Sequence, residues 1–107
     1  MVKHIVFFKI KSDFSSEQKK QAANQIVDIL KKLPSIIDEI KYYEIGINIS
    51  DRQTAYDVAL ISYFDNKNDL ETYRFHQAHQ QAVQKIKQLT ESSCVVDYSD
   101  FFRYEKK

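Results

Sequence analysis

Glycine, proline, cysteine and methionine each occur once in this chain of 107 residues, and tryptophan is absent. With Gly46 the only glycine, no glycine-rich loop can cradle a phosphate, which excludes the familiar nucleotide-binding motifs. With Cys94 the only cysteine, no internal disulfide can form, which fits a reducing compartment and predicts a cytoplasmic protein. Cys94 stands in an apolar run without a basic neighbour, so a buried and inert thiol is expected there. An excess of one charge is lacking too: 16 basic side chains face 15 acidic ones, for a net charge of +1. Nucleic acid and anionic membrane surfaces call for a basic footprint, so neither is expected as a partner. No apolar stretch approaches the ~20 residues of a membrane-spanning helix, and Met1-Val2-Lys3-His4 opens no signal-peptide core.

What remains is enough for one domain over residues 1–107, a length that buries roughly two-thirds of the unfolded surface without staples. Val2, His4, Val6, Phe8 and Ile10 alternate with Lys3, Ile5, Phe7, Lys9 and Lys11, the period of a strand, so His4 shares a face with Val6 and Phe8. Ser15 with Gln18 forms a capping-box signature, and Ala22, Ala23, Ile26, Val27, Leu30 and Leu33 recur at helical spacing up to Pro34. Strands are predicted over 40–49 and 55–64, joined by the polar turn 50–54. Asn68 with Glu71 can cap a second helical region that runs through His79 to Leu89, with a break near Phe75. A last strand, dense in aromatic residues, is predicted over 94–104.

The order βαββαβ predicts an α+β, ferredoxin-like fold with two helices on one face of a four-stranded antiparallel sheet. The strands carry apolar side chains on both faces, and two helices cover only one. A second copy of the chain against the other face is therefore expected, closing a homodimer.

All three histidines fall where they can meet: His4 on the first strand, and His76 and His79 in Tyr73-Arg74-Phe75-His76-Gln77-Ala78-His79. The spacing three by three predicts that Tyr73, His76 and His79 stack along one helical face and converge on one spot. His79 begins the apolar stripe of Ala82, Val83, Ile86 and Leu89, which places it at the edge of the core. A partly buried imidazole can take a proton α to a carbonyl while a nearby phenol steadies the oxyanion. The bland alternative is a core histidine tied to backbone, and for His76 a helix-start role is favoured. No metal is expected, since His76 and His79 lack the glutamate and the four-residue spacing of a metalloprotease helix. No cofactor is expected either.

Val2-Lys3-His4-Ile5-Val6, Leu33-Pro34, Tyr56-Asp57-Val58-Ala59-Leu60, Tyr73 to His79 and Val95-Val96-Asp97-Tyr98 together resemble the stress-responsive A/B barrel domain family over essentially the whole chain. The resemblance implies a dimeric α/β barrel with a cavity between sheet and helices in each subunit. The family includes a plant polyketide cyclase that closes a poly-β-keto thioester with a histidine as acid/base and a tyrosine assisting. Carried over, this makes His79 the catalytic acid/base and Tyr73 its partner, with His4 and His76 in or near the pocket. Where the cyclase places a further histidine and tyrosine in its pocket, this chain has Val58 and Ile26 as the implied lining. Gln77 stands where the family commonly has proline. The expectation is a homodimer that binds a small apolar or aromatic carbonyl compound, with histidine-mediated proton transfer of a cyclase or isomerase kind. The rival is a non-catalytic stress-associated protein with structural histidines, and an open or filled cavity separates the two.

Overall fold

The computed structural model describes Met1–Lys107. Its elements are β1 (Val2–Ile10), α1 (Ser16–Leu30), β2 (Tyr42–Ile47), β3 (Val58–Phe64), α2 (Lys67–Phe75), α3 (Gln77–Lys87) and β4 (Thr90–Tyr98). The strands form one antiparallel sheet in the order β2-β3-β1-β4, which is the ferredoxin-like arrangement.

Alternation along the two central strands decides which way the sheet faces. On β1, His4, Val6 and Ile10 are buried, and on β3 so are Val58, Leu60, Ser62 and Phe64. The apolar ones among these meet Ala22, Ala23, Ile26 and Leu30 of α1, Leu70 and Tyr73 of α2, and Ala82 and Ile86 of α3 in a single apolar core. The Ser15 capping box is formed: the Gln18 amide donates to the Ser15 hydroxyl at 3.1 Å, and the Ser15 amide to the Gln18 side chain at 2.8 Å. Helix α1 ends at Leu30 rather than Leu33, and Leu33 is buried from the turn that follows.

Several boundaries differ from expectation. The cap of α2 is Asn66, whose side chain accepts from the Asp69 amide, in place of Asn68. The helical region from Lys67 to Lys87 divides at His76, whose extended backbone (φ −62°, ψ 137°) interrupts the helix and whose ring caps α3. The link between β2 and β3 is longer than a tight turn, and its far end is tied down by Lys9 Nζ donating to the Ala55 carbonyl at 3.0 Å and the Ile10 amide to Asp57 Oδ2 at 2.7 Å. The last strand lies at Thr90–Tyr98 instead of 94–104, and no regular structure follows it. The register explains this: β1 begins at Val2, and β4 has paired Tyr98 with Lys3 by then, so the later aromatic residues have no strand to pair with.

The face away from the helices carries Ile5, Phe7, Ala59, Ile61, Cys94 and Val96, with Phe7 and Val96 among its exposed apolar residues. Cys94 is exposed here, contrary to the buried thiol expected, because it pairs with Phe7 on the uncovered face of an edge strand.

Candidate functional site

Between the sheet and the helices lies a cavity of about 190 Å³. An engineered apolar cavity of ~150 Å³ takes up benzene, so the space here suits a molecule of about one ring. Its floor is apolar, with Val6, Phe8, Leu60 and Ile86 among the lining residues. Its polar lining includes His4 and His79, with Arg74, Lys87 and Thr90 also in the wall. On the β4 side the wall is Ser93 and exposed Val95, because α3 does not reach over the edge strand.

His79 comes to this cavity because the helix is broken. After Phe75 the chain turns at His76, and α3 restarts with His79 in its first turn. The His79 ring then lies 4.4 Å from that of Tyr73, centre to centre, and its Nδ1–H donates to the Arg74 carbonyl at 3.0 Å. A carbonyl can only accept, so the proton sits on Nδ1 and Nε2 is left as a base. Burial holds the His79 pKa below the ordinary 6.5; the Arg74 carbonyl, the next largest influence, pulls the other way, and repulsion from His4, Arg74 and His76 adds to the lowering.

Tyr73 is fully buried, with its ring against Phe64 at 5.0 Å and His4 at 6.0 Å. Its hydroxyl shares a 2.8 Å hydrogen bond with Tyr43 on β2, so its polar end is engaged there while its ring supports His79. Burial pushes its pKa up to about 12, and that of Tyr43 higher still, so both phenols are neutral at physiological pH.

His4 is buried on β1, and its Nδ1 is hydrogen-bonded to Asp97 Oδ1 on β4, its direct cross-strand neighbour. Asp97 carries no role in the sequence reading, because its pairing with His4 depends on the β1–β4 register. The available signal was an acidic residue inside the apolar run Val95-Val96-Asp97-Tyr98. Tyr43 leaves no local signal either, because its partner Tyr73 lies on α2, in another layer.

The remaining candidates fall elsewhere. His76 does not stack with Tyr73 and His79: its Nδ1 accepts from the Ala78 amide at 3.0 Å as the cap of α3, a helix-start role. Ile26 and Val58 are core residues and lie outside the wall of this cavity. No three histidine, cysteine or acidic side chains gather in metal-binding geometry.

Comparison with known proteins agrees with this architecture. A sequence model of the stress responsive A/B barrel domain matches residues 2–100. An uncharacterised protein of Streptomyces coelicolor is 34% identical over 83 residues, covering 78% of this chain and 84% of its own. A crystal structure of a dimeric, ferredoxin-like protein of unknown function from Bacteroides fragilis superposes with a TM-score of 0.83 at 34% identity, over 92% of this chain and 95% of that one. The hydroxynitrile lyase of Passiflora edulis shares the fold at a TM-score of 0.75 and 24% identity, over 95% and 96% of the two chains. With a family match across nearly its whole length and these relatives beside it, the chain belongs to the stress responsive A/B barrel domain family.

Proposed function

We propose that this protein binds a small carbonyl compound of about one ring in the cavity between sheet and helices, and moves a proton on it with His79 as acid/base. The observation that supports this most is the meeting of a neutral, half-buried imidazole and a second histidine in the wall of a cavity with an apolar floor. An apolar floor favours the ring or chain of the ligand, while the polar groups at one end orient its carbonyl. Tyr73 positions His79 by packing against it, and the hydroxynitrile lyase of the same fold gives a precedent for catalysis on this scaffold.

The assembly is a homodimer closed through the uncovered sheet face. Exposed Phe7 and Val96 on that face support it, as does the dimeric state of the Bacteroides fragilis relative. Light scattering should give twice the 12.7 kDa chain mass at micromolar concentration, and a monomer mass there would remove the barrel.

A panel of one-ring ketones and aldehydes tests ligand binding. A compound present at ~100 times its Kd should stabilise the folded protein by about 2.7 kcal/mol, seen as a rise in melting temperature. The reading fails if no member of the panel raises it while the cavity is accessible to solvent.

A further inference from the structure

We infer that His4 and Asp97 form a second proton-handling pair in the cavity, His4 protonating the carbonyl oxygen of the substrate while His79 removes the neighbouring carbon-bound proton. The inference rests on the reading of the cavity as a proton-transfer site and adds to it a catalytic histidine and a positioning carboxylate.

The geometry comes from the sheet. Cross-strand pairing of His4 with Asp97 sets carboxylate against imidazole, and the carboxylate accepts the Nδ1–H. That bond orients the ring and balances a positive charge on it, which is the service an aspartate gives a catalytic histidine. The His4 side chain is almost wholly buried, yet its Nε2 makes no hydrogen bond within the chain. No buried side-chain nitrogen or oxygen lacks a partner, so this nitrogen is wetted, and the cavity that His4 lines is the space that wets it. His79 has the opposite surroundings, a backbone carbonyl on Nδ1 and no carboxylate. One ring is equipped to carry a proton and its charge, the other to accept a proton, and Tyr73 touches both.

The step balances. His79 Nε2 takes the α-proton, and the electrons of the broken C–H bond form the C=C bond of an enol. The carbonyl π pair moves onto oxygen, which takes the Nε2 proton of His4. His79 ends as imidazolium, His4 ends neutral beside the Asp97 carboxylate, and the reverse step in D2O returns deuterium to carbon.

Phenylacetone in D2O is the probe, with loss of its α-proton signals followed by NMR for the wild-type dimer and its variants. His4→Gln should lower kcat on the order of 10²–10⁴-fold. Asp97→Asn should lower it by roughly tenfold or more. KM should change little in either. In Asp97→Ala, added formate should restore part of the rate; the carboxylate side chain is 40% exposed, so formate can reach the vacated place, and a purely structural aspartate would not be rescued in this way. If His79→Gln abolishes exchange while His4→Gln and Asp97→Asn stay within about twofold of wild type, the His4–Asp97 pair is overturned and the role of His79 stands. If the wild type exchanges no faster than buffer, the proton-transfer reading fails, and the pair fails with it.

Discussion

Exchange of His79 for glutamine is expected to slow proton transfer by ~10²–10⁴-fold, the cost of losing one positioned acid/base, which corresponds to about 2.7–5.4 kcal/mol of barrier. The size follows from how the ring is held. The Arg74 carbonyl fixes the proton on Nδ1 at 3.0 Å, and the Tyr73 ring packs at 4.4 Å, so Nε2 is presented in one orientation. Glutamine keeps an amide donor for the Arg74 carbonyl but offers no base. The pH dependence has a definite sign. Because burial lowers the His79 pKa, the neutral base persists as pH falls below 6.5, and on the acid limb the rate should drop only when pH passes through that lowered value. A wild-type rate that, on lowering the pH, has already halved above pH 6.5, or a His79→Gln enzyme within about twofold of wild type, would assign the base elsewhere. The same variant should preserve the dimer, since His79 lies on the helix side and the exposed sheet face is untouched.

Phe64→Ala should destabilise the fold by about 3–5 kcal/mol, the usual loss for removing a fully buried phenylalanine. Phe64 ends β3 with no exposed surface and packs against Tyr73 at 5.0 Å and His4 at 6.5 Å. Its removal therefore forfeits the burial of the ring and leaves a void that Tyr73 and the sheet close only in part. Urea unfolding measures the effect as a lower midpoint at unchanged slope. A loss below about 0.5 kcal/mol, the scale of ordinary surface substitutions, would mean that the core does not close around Tyr73.

Local signals were legible in the sequence where a single segment determines them. The alternation of β1 placed His4, Val6 and Ile10 inward, and Ser15 with Gln18 marked the start of α1. The apolar stripe of α3 pointed Ala82 and Ile86 to the core. Features that depend on register were harder to see. His4 meets Asp97 across 93 residues of chain, and Tyr43 meets Tyr73 from a different layer, so neither pairing leaves a local pattern. The aromatic residues after Tyr98 have strand propensity, but the end of β1 decides that they cannot pair. The three-residue spacing predicts His76 as a third ring on one helical face; its own ring, by capping α3, is part of what ends that continuity.

The central claim is that the ligand sits between sheet and helices, and intermolecular nuclear Overhauser effects from bound phenylacetone test it most directly. The account predicts contacts from the phenyl protons to the methyl groups of Val83, Ile86 and Val95, which line the cavity. Contacts confined to Ala59 and Ile61 on the opposite sheet face, or none to the cavity at saturating ligand, would contradict it.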